Sequence, residues 1–194
     1  AAATDESRPM LTGVLTKFNQ DQITMAAADG FRLSVHTTDL NTRVNEPVQV
    51  LIPAKALSEL GRIIGDQEDP VEITITPSRN QILFHLSNTD LVAQLIDLQF
   101  PDYEQIIPKR HNTRAVADTT NMLKAGRAAN IFAREAANTA RLRVVPGGEL
   151  SPGQITIAAR SDETGDNLGE IDATVEGDEI EIAFNVRYLL DVLG

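Results

Sequence analysis

The chain has 194 residues, 28 of them Asp or Glu and 17 Lys or Arg, with neither Cys nor Trp. That length suffices for one large or two small domains with their own cores. The missing Cys excludes disulfides and thiolate metal sites and fits a reducing compartment. A net charge of −11 implies a surface that on average repels nucleic acid and anionic membrane, although charge can be segregated by face.

Ala1 stands where a start Met would be expected, and a helical pattern breaks off at Gly194, so the chain reads as a fragment. No secretory signal is visible, and no apolar run approaches the ~20 residues of a membrane span. Alternating apolar and polar residues predict strands over 10–18 (MLTGVLTKF), 22–27, 31–37 and 48–52. A helix follows over 53–64, with Pro53 in its first turn. Further strands fall at 71–76, 81–86 and 91–98. Next comes QFPDYEQIIP (99–108), whose two prolines bar regular structure although Phe100, Tyr103, Ile106 and Ile107 are too apolar for an idle linker.

A second helix is predicted over 119–136, capped by Asp118 or Thr119, and strands at 140–145, 154–159, 170–175 and 179–184. A third helix spans 185–194, with Asn185 as its cap. Pro53 to Asp118 is 65 residues and Asp118 to Asn185 is 67. Each helix start follows a short strand, and each complete interval holds three more. The fold class is therefore α+β, built from a repeated strand–helix–three-strand unit, of which residues 1–46 form the tail of an earlier copy.

Leu57, Leu60, Ile63 and Ile64 form the apolar stripe of the first helix, while Lys55 and Arg62, seven apart, share another face that Glu59 dilutes. In the second helix Met122, Leu123, Ala129 and Phe132 are suited to face a sheet. There Lys124, Arg127 and Arg134 fall within about 80° of one another. Rows of Lys and Arg contact phosphates without reading bases; ordinary solvated charge is the plainer alternative.

Catalytic signals are weak. His36, His85 and His111 never form a ligand-like pair, and GDNLG (165–169) lacks the strand and helix context of a phosphate loop. Asp162-Glu163 and the Glu176/Asp178 pair fall in turn-like segments. No metal or cofactor is expected. A carboxylate-dependent hydrolase and a repeat-built interaction scaffold that never meets DNA remain alternative readings.

Taken together, AADGFRLSV (27–35), LIPAKALSEL (51–60), LIDLQFPDYEQIIP (95–108) and EIAFNVRYLLDVL (181–193), in that order and spacing, resemble the bacterial sliding clamp family, the beta subunit of DNA polymerase III. The resemblance covers essentially the whole chain. It implies the DNA clamp fold, with sheets outside and helices on a concave face. Residues 1–108 would correspond to the middle domain without its first strand and helix, and 109–194 to the third domain without its final strands. It further implies a processivity factor, not an enzyme, that tethers the replicative polymerase by encircling duplex DNA as a homodimer ring when full length. The setting would be the cytoplasm, at the nucleoid.

Implied partners are duplex DNA, contacted nonspecifically through its backbone, the DNA polymerase III alpha subunit, the clamp loader, and other polymerases and repair proteins that dock through short peptides; no membrane is involved. By matching position, Arg8, Leu11, Gly30, Phe31, Arg32, Leu33, Pro101, Ile106, Asn185 and Tyr188 would form the apolar peptide-binding pocket. Lys55, Arg62, Lys124, Arg127 and Arg134 would face DNA. Phe31 stands where many relatives carry His or Tyr, Ala28 where Thr is common, and Gln105 at a position that can be Arg.

Overall fold

The computed structural model describes residues 1–148, 151–161, 163 and 165–194. The chain divides into two compact units, Ala1–Ile107 and Pro108–Gly194.

In the first unit a 3₁₀ turn, Pro9–Thr12, precedes β1 (Gly13–Asn19), β2 (Gln22–Ala28), β3 (Leu33–Asp39) and β4 (Val48–Pro53). Helix α1 (Ala54–Ile64) follows, then β5 (Glu72–Ile75), β6 (Gln81–His85) and β7 (Asp90–Gln94). The first four strands form one sheet in the order β3-β2-β1-β4, and the last three form another. The strand expected from residue 10 starts at Gly13, because Pro9 opens a turn that the Thr12 hydroxyl closes by donating to the Pro9 carbonyl at 2.8 Å. Pro53 is not in the first turn of the helix: it ends β4 at the sheet edge, opposite Gly13, where no ladder N–H is needed.

The four-stranded sheet is buried on both sides along β1 and β4, whereas β3 is largely exposed. Phe18, Val50 and Ile52 face a core shared with Leu60 of α1, with Ile82 and Phe84 of the three-stranded sheet, and with Leu86 just past β6. Leu15, Ala26 and Leu51 face the other way, against Leu11, Phe100 and Tyr103. This explains why Val50, Leu51 and Ile52 are all buried although alternate strand residues point to opposite faces. β7 ends at Gln94, short of the expected 98, because Leu95 stays in the first core while Ile96 passes to the second, its N–H donating to the Leu51 carbonyl at 2.9 Å.

In the second unit β8 (Thr113–Ala117) leads into α2 (Thr119–Ala133), which tightens into a 3₁₀ turn, Arg134–Ala136. β9 (Thr139–Val145), β10 (Gly153–Ser161), β11 (Gly165–Gly177), β12 (Ile180–Asn185) and α3 (Val186–Leu193) complete it. The sheet is antiparallel, in the order β12-β9-β10-β11-β8. Its core packs Ile155, Ile157 and Ile171 against Ala129 and Ala133 of α2 and Val186 of α3. Small residues let α2 approach closely: a side chain on Gly169 would place its Cβ 2.9 Å from that of Ala125.

Asp118, not Thr119, caps α2, its carboxylate accepting from the Asn121 N–H at 2.9 Å; Asn185 caps α3 by accepting from Arg187 N–H at 3.0 Å. β11 is far longer than the predicted 170–175. GDNLG forms its opening part, paired in register with β10. Glu176 likewise belongs to β11, 3.6 Å from Arg114 on β8. Asp162 lies outside the described residues.

On the exposed surface, His85 pairs across the β6–β7 ladder with Asp90, ring nitrogen to carboxylate at 2.5 Å. The hydrogen bond to Asp90, then its charge, raises the imidazole pKa above its ordinary value. The unfolded imidazole titrates near about 6.5. The pair therefore contributes its full stabilisation below that pH and loses it as pH rises through the higher folded value. Urea unfolding of Asp90→Asn should match the parent at alkaline pH and fall below it under mildly acidic conditions. Equal differences at both would remove the pair from the account.

Candidate functional site

The turn between β2 and β3 has a single organiser that sequence reasoning missed. Asp29 accepts from the N–H of Phe31 at 3.0 Å and of Arg32 at 3.1 Å, while its second oxygen takes the Arg32 Nε at 2.7 Å. Burial alone would raise the Asp29 carboxyl; the Phe31 and Arg32 hydrogen bonds outweigh it and hold the pKa below the usual range. The signal was the Asp-Gly dipeptide, a turn former in its own right. Gly30 sits at φ +94, a left-handed conformation that favours glycine, and the Arg8 guanidinium lies 2.7 Å from where a Cβ would stand. Arg8 is thereby placed over the turn, and Phe31 stands 80% exposed at its tip.

Leu11 and Leu33 lie behind the turn. Leu11 is buried and Leu33 half-buried, both in the cluster that holds Phe100 and Tyr103. The connector 99–108 is thus no linker. Phe100 and Tyr103 anchor it to the sheet, a 3₁₀ turn, Tyr103–Gln105, crosses its middle, and Ile106 is left 63% exposed beyond an exposed Pro101. Eight of the sequence-predicted pocket residues therefore fall in the first unit. They pair an apolar floor (buried Leu11, half-buried Leu33) with exposed apolar groups (Phe31, Ile106) and a cationic rim (Arg8, Arg32). Asn185 and Tyr188 belong to the second unit, where Asn185 is the α3 cap and Tyr188 is half-buried.

A cleft of about 560 Å³ runs along the connector, lined by Lys17, Gln49, Arg79, Asp97 and Glu104 together with Leu15, Leu51, Phe100 and Tyr103. Of the predicted pocket residues it includes Pro101 alone. Its charged walls suit it poorly to hold apolar anchors.

The predicted DNA-facing cations are all exposed. Lys55, Lys124, Arg127 and Arg134 make no ion pair among the described residues. Arg62 differs: it grips Glu59 with two hydrogen bonds, at 2.5 and 3.0 Å, so part of its charge is already matched within α1. The α-helical phase that aligned Arg134 with Lys124 stops at Ala133, and Arg134 opens the 3₁₀ turn. Four strand cations contrast with these. Lys17, Arg114, Arg141 and Arg143 each lie within 3.6 Å of a carboxylate, on Glu104, Glu176, Glu181 and Glu179 respectively. Among the described residues, no cluster of three or more His, Cys, Asp or Glu is arranged to hold a metal ion, and no helix is long and apolar enough to cross a membrane.

Two family models match, the DNA polymerase III beta subunit central domain over residues 1–102 and its C-terminal domain over 104–194. The chain belongs to the DNA polymerase III beta-subunit family. It is 34% identical over all 194 residues to the beta sliding clamp of Bacillus subtilis (strain 168) and 31% identical to that of Staphylococcus aureus (strain Mu50 / ATCC 700699). It spans about half the length of these relatives, 50% and 49%. The solved Bacillus subtilis sliding clamp superposes with a TM-score of 0.89 over all of this chain and 50% of its own. A Pseudomonas aeruginosa clamp solved with bound griselimycin, 30% identical, gives 0.88 over all of this chain and 50% of its own. The resemblance read from the four motifs and the α+β clamp fold are thus borne out.

Proposed function

We propose that this chain is the middle- and third-domain portion of a sliding clamp, which tethers a replicative DNA polymerase to duplex DNA in the bacterial cytoplasm and does no chemistry of its own. Tethering is topological: a ring threaded on the duplex raises the effective concentration of polymerase at the primer end. Loose phosphate contacts then hold position without stopping the ring from sliding.

The observation that carries the DNA half of this reading is the partition of charge by element. Among the described residues four of the five strand cations, all but Arg160, are matched by carboxylates, whereas Lys55, Lys124 and Arg127 on the helices are unmatched and only Arg62 there is paired, in a protein of net charge −11. Unmatched helix cations can exchange counterions for phosphates; an acidic remainder disfavours DNA elsewhere.

Two further features support the reading. The turn at Phe31 and the connector at Ile106 supply exposed apolar groups over a packed floor, the form of site that captures short linear peptides such as those of a polymerase alpha subunit, a clamp loader or repair proteins. β8 covers only the Ala173–Gly177 end of β11, which leaves the edge from Gly165 to Asp172 without a partner strand among the described residues. An open strand edge is a template for another chain, as head-to-tail ring closure requires.

The charge-reversed chain Lys55→Glu, Arg62→Glu, Lys124→Glu, Arg127→Glu tests the DNA half by fluorescence anisotropy with a labelled duplex across a salt series. The slope of log affinity against log salt should become shallower by about 0.9 for each phosphate contact removed. An unchanged slope would favour the scaffold reading, in which the same fold never meets DNA.

A further inference from the structure

We infer that Lys17 is a positioning residue for the peptide pocket: from β1 it holds the connector turn Tyr103–Gln105 to the sheet and so determines where Pro101 and Ile106 stand. The inference rests on the pocket reading above.

The connector has no strand partner to set its register, and its prolines forbid one. Its middle nevertheless behaves as a single piece. Asp102 accepts from the Glu104 N–H at 3.2 Å and from the Gln105 side-chain amide at 2.7 Å, and the Ile106 N–H donates to the Tyr103 carbonyl at 3.0 Å. Pro101 and Ile106 flank this stitched turn, so whatever orients the turn orients both.

Burial of Phe100 and Tyr103 fixes the depth of the piece but leaves its tilt to polar contacts. One ammonium supplies these. Lys17 Nζ lies 3.0 Å from Glu104 Oε1, across 87 residues of chain, and 4.9 Å from the centre of the Tyr103 ring. Hydrogen bonding to Glu104 is the main reason its pKa stands above the ordinary lysine value. Lys17 is well placed for such work, because β1 is an inner strand: Thr24 of β2 flanks it on one side and Gln49 of β4 on the other. Groups borne on a paired strand hold geometry better than groups on a loop.

The test measures affinity for a fluorescein-labelled polymerase-tail peptide, with urea midpoints recorded in parallel, on the 194-residue chain. Lys17→Met and Glu104→Gln should each weaken binding about threefold, the scale of a partly exposed ion pair. The double variant should be no weaker than either alone, and Lys17→Arg should restore binding. Single variants that bind like the parent, losses that add in the double variant, or losses that merely follow the urea midpoints would each overturn the role of Lys17. If instead Leu33→Ala with Ile106→Ala keeps the peptide bound, the pocket reading itself fails and this inference fails with it.

Discussion

Leu33→Ala combined with Ile106→Ala is expected to abolish capture of a polymerase-tail peptide while the chain remains folded. The two residues act differently. Ile106 is 63% exposed, so its side chain is spent little in folding and is available to a ligand. Truncating it therefore reports on binding almost alone. Leu33 is half-buried beside Leu11 and Phe100, so its loss also loosens the floor, and it carries the larger folding cost. Removing an anchor from the centre of such a site costs about 2 kcal/mol or more, so the pair should weaken affinity roughly a thousandfold. Isothermal titration calorimetry gives the affinity, and circular dichroism with a urea melt shows whether the fold survives. A folded double variant that binds as tightly as the parent would remove the pocket from this face.

The largest stability effect is expected at Phe84. It is 2% exposed and sits where the two sheets of the first unit and α1 meet, together with Ile52, Leu60 and Ile82. Because three elements converge there, none can close in without pulling away from another, and Phe84→Ala should leave a cavity that relaxes poorly. The expected cost is about 3–5 kcal/mol. A domain of this size has only ~5–15 kcal/mol to lose. Urea unfolding followed by circular dichroism measures the loss. A cost under about 1 kcal/mol would show that the two sheets do not share one core. Val92, 57% exposed on the neighbouring strand, is the control: Val92→Ala should change little.

Most of the architecture was legible in the residues. Period-two alternation found the strands except β8 (Thr113–Ala117), which lies in none of the predicted segments. The three helices lie where caps and apolar stripes put them, opening at Ala54, Thr119 and Val186. Local signals suffice here because capping, turn and strand preferences act within a few residues. The misreadings fall where a distant partner decides. The strand expected over 170–175 starts already at Gly165 and takes in GDNLG, because β10 offers a continuous ladder from Ser161↔Gly165 inward. The expected strand through residue 98 breaks at Gln94, because Ile96 finds a better partner in Leu51 on another sheet.

The candidate site divides in the same way. Its apolar and cationic members could be named from motifs and the Asp-Gly dipeptide marked their turn, but the grip of Asp29 on Phe31 and Arg32 and the place of Arg8 beside Gly30 came only from the fold.

What the amino-acid order determined by itself was the repeat of strand, helix and three strands, and the presence of basic residues on helices of an acidic chain. Both follow from periodicity and local conformational preference. Only the tertiary structure decided which cations are free. Lys17 and Glu104 meet across 87 residues, and Arg143 meets Glu179 across 36; the partner of a charge is set by sheet pairing and connector packing. Packing likewise divided the apolar residues of the connector, burying Phe100 and Tyr103 while leaving Ile106 in water. The sheet face opposite α1 takes both aromatic rings of the connector, beside Leu11 from the 3₁₀ turn before β1.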